Sequence, residues 1–293
     1  MLANIGLARG ETFILPPSDV DLIGRMQVVP AAYEDTLLDI ARRYGIGQDE
    51  ILLANPKVDR WLPGRNTPVV VPTEFILPKS KRSGIVLNVP EMRIYYYPKP
   101  LKGRMPEVHT FPVSVGRMDW KTPLGTAKVQ AKVKDPVWVP PASIRAEHAA
   151  KGDILPPIVA AGPLNPLGQY ALRLSIPGYL IHGTDKPWGI GMRVTHGCLR
   201  LYPEDINELY AEVPVGTTVE IVYQAVKVGW VLGDLYIEVH PPLEEDKDIK
   251  NMLMKTAVEM VEAEIMKNPV SVSGKLIRQA VEEKSGIPML ISE

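Results

Sequence analysis

The sequence predicts a mainly β central domain flanked by two small α+β domains. Apolar or alternating runs, separated by proline and glycine, dominate residues 84–223 and are typical of strands. Shorter segments on either side, 26–73 and 224–293, combine strand signals with helical spacing of apolar residues. The 29 prolines and the 6% aromatic content indicate many turns and edges rather than long helices.

Composition excludes several classes of protein. The 293 residues are 45% hydrophobic and 23% charged, which is enough for more than one domain with its own core. A net charge of −1 gives no electrostatic argument for nucleic acid as a partner. No apolar run approaches the ~20 residues that a membrane-spanning helix needs. The first residues, MLANIGLARG, lack the basic region and the apolar length of a signal peptide.

The N-terminal part is predicted to hold a lead-in, a compact unit and a linker. Residues 1–25, which include Pro16 and Pro17, are predicted to be extended. The compact unit spans 26–73, and residues 74–83 are predicted to link it to the central domain. The unit should contain, in order, a strand at 27–29, a helix capped by Asp35, a second helix ending at Asn55, and a strand at 69–71.

Strands dominate the prediction for the central domain. Residues 85–89 and 92–97 should form a hairpin, and Tyr95, Tyr96 and Tyr97 should lie on a strand with one buried face. Residues 135–169, rich in proline and glycine, should be irregular and border a cleft or form a lid. A strand ending at 182 should then deliver a histidine to that cleft.

The stretch from Ile181 to Tyr202 holds the candidate catalytic residues. It contains Cys198, the only cysteine, together with His182 and His196. A lone cysteine near a histidine is a candidate nucleophile, because the thiolate attacks and the imidazole accepts the proton. The spacing leaves two alternatives open: an inert small hydrophobic residue, or a zinc site made by the same cysteine and both histidines.

This stretch resembles the signature of the YkuD-type L,D-transpeptidases. A His-Gly-Thr sequence begins at His182, and fifteen residues separate that histidine from Cys198. The sequence around the cysteine is Thr195-His196-Gly197-Cys198-Leu199-Arg200. The resemblance implies a mainly β catalytic domain of β-sandwich-like form over residues 84–223.

The resemblance also implies a role for each motif residue. Cys198 would be the nucleophile and His182 the proton acceptor and donor. The carbonyl of Gly183 would orient that histidine, and the amide of Gly197 would stabilise the oxyanion. The residues expected near the substrate are Thr184, Thr195, His196 and Arg200. Among these, His196 could equally be structural, and Arg200 could bind a substrate carboxylate or pair with a local acid; no metal or other cofactor is expected.

The implied reaction is peptide exchange on peptidoglycan. Cys198 would attack the bond between diaminopimelate and D-Ala in a stem tetrapeptide, and an amine would then take the acyl group. That amine could be a lysine of an outer-membrane lipoprotein or a second diaminopimelate. With water as the acceptor, the enzyme would be an L,D-carboxypeptidase. The alternative from another class is a wall-binding protein with an inactive catalytic domain.

The flanking segments carry resemblances of their own. The strand–helix–helix–strand order of 26–73 resembles a LysM domain, through Glu34-Asp35-Thr36-Leu37, Asn55-Pro56 and Leu62-Pro63-Gly64. This implies binding of peptidoglycan glycan strands, whereas the plainer interpretation is a small packing domain. Residues 224–293 resemble the extra C-terminal segment of the longer ErfK/YbiS-like envelope members. The periplasm or cell envelope is therefore the expected location, with the leader absent from the given chain.

Overall fold

The structure is a computed structural model that describes residues 10–118 and 120–293. Its N-terminal part contains five strands and two helices within the described residues. They are β1 (Glu11–Ile14), β2 (Leu22–Gly24), β3 (Gln27–Pro30), α1 (Leu37–Arg43), α2 (Gln48–Ala54), β4 (Pro68–Val71) and β5 (Glu74–Ile76). The order β3–α1–α2–β4 matches the element order on which the LysM interpretation was based, and glycan binding by this unit stays a prediction.

The first helix of this unit begins with a capping box. The Asp39 amide donates to the Thr36 hydroxyl at 3.1 Å, and the Thr36 amide donates to the Asp39 carboxylate at 2.9 Å. Asp35, the predicted cap, lies one residue too early. Its carboxylate instead pairs with the Arg43 guanidinium at the other end of the helix.

The central domain adds ten strands and two helices within the described residues. They are β6 (Gly84–Asn88), β7 (Arg93–Tyr97), β8 (Glu107–Pro112), β9 (Val115–Gly116), β10 (Gly125–Lys134), α3 (Ala142–Ala150), β11 (Tyr170–Leu174), β12 (Leu180–His182), β13 (Arg193–Thr195), β14 (Leu199–Arg200), α4 (Pro203–Glu212) and β15 (Thr218–Val222). Nine strands form one sheet in the order β1-β8-β7-β6-β15-β10-β11-β12-β14. The mainly β character predicted for this domain is confirmed.

Two segments predicted as an extended lead-in and a linker contain paired strands. β1 lies in the predicted lead-in, and it pairs antiparallel with β8, from Glu11 opposite Thr110 to Ile14 opposite Glu107. β5 lies at the start of the predicted linker and pairs with β2. Residues 1–9 of the predicted lead-in lie outside the described residues. The partners of these short strands are distant in sequence, so local patterns did not reveal them.

Both faces of the large sheet are covered. Tyr96 and Ile94 belong to the core of the central domain, whereas Tyr95 and Tyr97 join the core that contains helix α1. Tyr95, Tyr96 and Tyr97 are accordingly only 0%, 4% and 4% exposed. The prediction of one buried face on this strand is wrong, because the α1–α2 unit packs where solvent was expected.

A helix lies inside the segment predicted to be irregular. α3 follows Pro140 and Pro141, and most of its residues, ASIRAEHAA, are good helix formers. The proline and glycine around it concealed this short run. Helix α3 carries Glu147, which contacts His196.

The C-terminal part is a small α+β layer. Its elements are β16 (Val226–Val231), β17 (Asp234–Val239), α5 (Lys247–Ile265), α6 (Gly274–Glu283) and β18 (Met289–Leu290). The helical spacing of Met254, Val258, Val261 and Ile265 predicts an amphipathic helix in this segment. In α5, Val261 is buried together with Leu253 and Ala257, whereas Met254 and Val258 are 37% and 38% exposed. Within residues 10–118 and 120–293, no helix has both the length and the apolar character needed to span a membrane.

A buried charged cluster joins the three parts. Lys227 of β16 places its Nζ 3.0 Å from Glu91 Oε2 and 2.6 Å from Glu238 Oε1, and donates to the Ile76 carbonyl at 2.7 Å. His240 Nε2 lies 2.6 Å from the same Glu238 oxygen. We call Lys227, Glu91, Glu238 and His240 the Lys227 cluster. It ties the β6–β7 turn of the central domain and strand β5 to the C-terminal sheet.

Candidate active site

Two short parallel strands bring the motif residues together. In the β12–β14 pair, Ile181 lies opposite Leu199 and His182 lies opposite Arg200. Ile181 and Leu199 point into the core of the domain. Because side chains alternate along a strand, His182 and Arg200 lie on the other face. Cys198 directly precedes β14, so the pairing brings the segment that carries the predicted nucleophile beside the strand that carries the predicted base.

The tautomer of His182 is set by its own loop. Its Nδ1 lies 2.7 Å from the carbonyl oxygen of Gly183. A carbonyl oxygen only accepts, so Nδ1 carries the hydrogen and Nε2 keeps its lone pair. The pKa of His182 is lowered to about 3, first by burial and then by the Arg200 guanidinium, against the opposing effect of the Gly183 and Leu167 carbonyls. The imidazole is therefore neutral at neutral pH and able to accept a proton.

Helix α4 packs directly against this loop. A Cβ added at Gly183 would lie 3.0 Å from Cγ2 of Ile206 on α4. A larger residue at position 183 would push the helix or the loop away. The carbonyl that fixes His182 therefore depends on the close contact between the loop and α4.

Cys198 is partly exposed and favours its neutral form. Its thiol donates to the Gly178 carbonyl, with Sγ at 3.6 Å from the oxygen. Burial raises the pKa of the thiol, and the Leu180 backbone and the Arg200 guanidinium offset this only in part. The resting pair is a thiol and a neutral imidazole. Burial disfavours the charged form of each group, so a thiolate–imidazolium pair is not the resting state.

The turn before the cysteine is held from two sides. Gly197 has a φ of +97°, in the left-handed region that favours glycine. A Cβ there would also lie 2.9 Å from the Tyr179 ring. The Thr122 hydroxyl donates to the Gly197 carbonyl at 3.2 Å and accepts the Gly116 amide at 3.1 Å. Within the described part of the chain, no carbonyl accepts the amides of Gly197 or Cys198.

Two threonines expected near the substrate have local partners instead. The Thr195 hydroxyl donates to the Cys198 carbonyl at 2.6 Å, and Thr195 is 2% exposed. The Thr184 hydroxyl accepts the Lys186 amide at 2.9 Å, and Thr184 is also buried. These contacts stabilise the loops on either side of His182 and Cys198, and a role for either threonine in substrate binding stays a prediction.

His196 faces a charged group that sequence reasoning missed. Its Nε2 lies 2.9 Å from Glu147 Oε2 on α3, and the Arg117 guanidinium contacts both residues. The Trp120 ring packs edge-on against its imidazole at 5.3 Å. The ligand atoms of His182, His196 and Cys198 do not all lie within 4.8 Å of one another, which weakens the zinc alternative. The partners of His196 carry no local sequence signal, since Glu147 is 49 residues away.

Arg200 lies beside the catalytic pair without a fixed partner. Its Nε is buried and has no hydrogen-bond partner among the described residues. Its charge acts on both His182 and Cys198, and the carboxylate of Asp185 is near enough to act on Arg200. The guanidinium is therefore available to an anionic group that enters the site.

A cavity of about 970 Å³ adjoins the catalytic turn. Its wall combines Asp49 of α2, Trp120 and Glu147 beside His196, and Glu244 of the C-terminal part. Neither Cys198 nor His182 is on this wall. The cavity adjoins the motif at Trp120 and Glu147, which contact His196. All three parts of the chain contribute to it.

Comparison with known proteins gives the class of this site. Residues 82–221 match the model of the YkuD family, the L,D-transpeptidase catalytic domain. The central domain is therefore an L,D-transpeptidase catalytic domain.

Full-length relatives give the family of the whole chain. The chain is 37% identical to the probable L,D-transpeptidase YbiS of Escherichia coli, over 97% of this chain and 93% of that protein. It is 39% identical to the probable L,D-transpeptidase ErfK/SrfK of Salmonella typhimurium, over 96% of this chain and 91% of that protein. The chain belongs to the ErfK/YbiS-like YkuD-type L,D-transpeptidases, a family of peptidoglycan enzymes.

Proposed function

We propose that the protein is a cysteine L,D-transpeptidase whose nucleophile is Cys198 and whose proton carrier is His182. The single observation that supports the proposal is the β12–β14 pairing, which sets His182 opposite Arg200, two residues after Cys198. The Gly183 contact adds a reason for the imidazole to act through Nε2. A proposed nucleophile and a neutral base therefore belong to two neighbouring segments of the chain.

In the first step, the substrate is a stem tetrapeptide. The bond that is cleaved joins the L-centre of diaminopimelate to the terminal D-Ala. The Cys198 thiol gives its proton to Nε2 of His182 while its sulfur bonds to the carbonyl carbon. The C–N bond then breaks, His182 returns the proton to the leaving amine, and D-Ala departs. An acyl-enzyme thioester remains.

The neutral resting pair sets the order of events. Burial keeps the thiol protonated and the imidazole uncharged, so the proton moves as the carbonyl is attacked. The negative charge that develops on the substrate oxygen then needs donors, and the amides of Gly197 and Cys198 are suited to this. Arg200 is the group proposed to bind a carboxylate of the diaminopimelate residue.

In the second step, an amine attacks the thioester carbonyl and His182 accepts the amine proton. The C–S bond breaks, and His182 returns the proton to the Cys198 sulfur. We place the approach of this amine in the 970 Å³ cavity. The guanidinium groups on its wall, Arg117 and Arg193, are paired with Glu147 and Glu245, whereas the wall also carries the carboxylates of Asp49 and Glu244. This surplus of acid favours a cationic acceptor over water. A lipoprotein lysine and a second diaminopimelate are the two candidates.

The remaining assignments concern the setting of the reaction. We propose that the unit of residues 26–73 binds glycan strands and that the protein works in the periplasm or cell envelope. The element order of that unit and the resemblance of its motifs to LysM domains support glycan binding. Glycan binding is measured by a pull-down with purified peptidoglycan sacculi, in which the full protein is compared with unrelated proteins of equal charge.

The reaction is tested by weighing its products. The protein is incubated with muropeptide tetrapeptides, with or without a peptide that ends in lysine, and the mixture is analysed by mass spectrometry. We expect loss of D-Ala and a new peptide-linked product, both absent with Cys198→Ala. Undiminished turnover by Cys198→Ala would overturn the assignment. Release of D-Ala with only hydrolysed tripeptide would identify an L,D-carboxypeptidase instead.

An inactive wall-binding protein is distinguished by a covalent probe. A carbapenem should acylate Cys198 and increase the protein mass by the mass of the drug. No adduct with the wild-type protein, together with retained binding to sacculi, would favour the inactive alternative. A chelator should leave acylation unchanged, whereas a thiol alkylator should abolish it.

A further inference from the structure

His109 and two glutamates form a cluster away from the catalytic face. His109 lies on β8, and Glu208 and Glu212 lie one turn apart on α4. Nδ1 of His109 is 3.3 Å from Glu208 Oε1 and 3.3 Å from Glu212 Oε2. These ligand atoms all lie within 4.8 Å of one another. A strand and a helix distant in sequence thus present one nitrogen and two oxygens to a common point.

The spacing of these atoms suits a tetrahedral ion. Zinc binds histidine nitrogen and carboxylate oxygen at about 2.0–2.2 Å. Two ligand atoms at the shorter of these distances, in tetrahedral directions, are about 3.3 Å apart. Both nitrogen-to-oxygen distances in the cluster have this value. An ion could therefore bind without a large movement of the strand or the helix.

The other nitrogen of His109 gives an independent observation. The imidazole is 7% exposed, and its Nε2 has no hydrogen-bond partner among the described residues. The nearest carboxylate on that side is Glu107, at 3.6 Å. A histidine that ligates a metal commonly directs its second N–H at a carboxylate. With the hydrogen on Nε2 facing Glu107, the Nδ1 lone pair faces the two glutamates.

Charge favours a dication at this point. Glu107, Glu208 and Glu212 surround His109, and no lysine or arginine among the described residues forms an ion pair with them. With a neutral imidazole, Glu107, Glu208 and Glu212 together carry three negative charges. A divalent ion would compensate two of them, whereas a proton on the imidazole compensates only one.

We propose that His109, Glu208 and Glu212 bind a divalent transition-metal ion, with Zn²⁺ as the first candidate and a water in the fourth position. One imidazole and two carboxylates suit zinc or a neighbouring transition ion better than Mg²⁺, which prefers oxygen ligands and keeps its waters. The ion would join β8 to α4. Helix α4 packs against Gly183 through Ile206. The ion would therefore stabilise the loop whose Gly183 carbonyl orients His182, without contacting the substrate.

The rival arrangement is an imidazolium held by the same carboxylates. Burial lowers the pKa of His109, but the hydrogen bond and charges of Glu208 and Glu212 outweigh it and raise the pKa overall. A protonated His109 would leave no lone pair for a metal. The two arrangements predict opposite results when zinc is added.

The test uses the full chain with Cys198→Ala, so that the thiol cannot bind the metal. Zinc chloride is titrated into metal-free protein by calorimetry. We expect one ion per chain, a higher melting temperature with zinc, and binding at least tenfold weaker for Mg²⁺. Glu212→Gln, a half-exposed position, should weaken zinc binding at least tenfold, and Glu208→Gln with Glu212→Gln should abolish it. His148→Ala is the control, because His148 pairs with Asp153 on the surface and should bind zinc like the parent.

Three results would overturn the proposal. They are no stoichiometric zinc binding by the parent, equal zinc binding by the double glutamine variant, and equal affinity for Mg²⁺. Circular dichroism and melting without metal establish that each variant is folded. Cobalt substitution adds a spectroscopic readout, because a site of this composition should show tetrahedral bands and no sulfur-to-cobalt charge transfer.

Discussion

The buried Lys227 cluster and the pair formed by His182 and the partly exposed Cys198 favour opposite charge states. At the catalytic face, burial is the largest influence on His182 and on Cys198, and it favours the neutral form of each. In the Lys227 cluster, burial also raises the pKa of Glu91, but Lys227, His240 and the hydrogen bond from Tyr95 outweigh it. The net result is a lowered pKa and a charged carboxylate.

The difference lies in pairing. Glu91 has an ammonium 3.0 Å away, so its charge is compensated without water. The catalytic pair has only backbone carbonyls and one guanidinium nearby, so neither group gains by ionising. A buried site that must move a proton can thus remain neutral at rest, whereas a buried site that joins domains can remain charged.

The largest expected effect is on stability, at Lys227. Lys227→Met leaves two buried carboxylates without their cation, and we expect the free energy of unfolding to fall by about 3–5 kcal/mol. Urea unfolding followed by circular dichroism measures it. Lys255→Met is the control, because the Lys255–Glu259 pair is exposed and should contribute less than about 0.5 kcal/mol. A loss of similar size in both variants would contradict the role of pairing.

The opposite pattern is expected at His182. His182→Gln removes the proposed general base, so acyl-enzyme formation should fall by about 10²–10⁴-fold. Because the group removed is neutral, the free energy of unfolding should change by only about 1 kcal/mol. Stopped-flow acylation and urea unfolding measure the two effects. The surface variant His148→Gln should change neither. A loss of stability as large as that of Lys227→Met would show that His182 is charged.

Gly197 tests the turn that presents the cysteine. Gly197→Ala should cost about 1–2 kcal/mol from its positive φ and slow acylation by about 10²-fold through displaced oxyanion donors. Gly103→Ala is matched, since Gly103 has a φ of +80° with nothing within 4 Å of an added Cβ. It should carry the backbone cost alone. Equal acylation by the two variants would argue against Gly197 as an oxyanion donor.

The smallest effect is a pH dependence. Because the pKa of Cys198 is raised, its alkylation by iodoacetamide at pH 7 should be slower than that of free cysteine and should still rise above about pH 8.5. The pKa of His182 is about 3, so its titration should cause no inflection between about pH 5 and 8. Rates measured by mass spectrometry across this range test both points. A plateau below pH 7 would indicate a preformed thiolate–imidazolium pair.

Local patterns predicted the local features of the molecule. The hairpin of β6 and β7, the paired helices α1 and α2, and the approach of His182 on β12 follow from periodicity and turn residues within a few positions. Cys198 and His182 could be predicted because each lies in a short run of adjacent motif residues, His-Gly-Thr at one end and Thr-His-Gly-Cys at the other.

Features that depend on distant partners could not be predicted. The burial of both faces of β7 arises because the α1–α2 unit packs on the sheet, which no pattern in Tyr95–Tyr97 encodes. The contact of Glu147 with His196 joins residues 49 positions apart. The neutral resting pair depends on burial by the whole fold, which the sequence alone does not give.

The position of β1 limits how the unit of residues 26–73 can move. The chain enters the large sheet at β1, leaves it to build residues 26–73, and returns to the same sheet at β6, with β8 and β7 between these two strands. The unit is thus an insertion anchored at both ends in one sheet rather than a module on a flexible tether. If this unit binds glycan as proposed, the two anchors would restrict the positions from which a bound strand can present its stem peptides to Cys198.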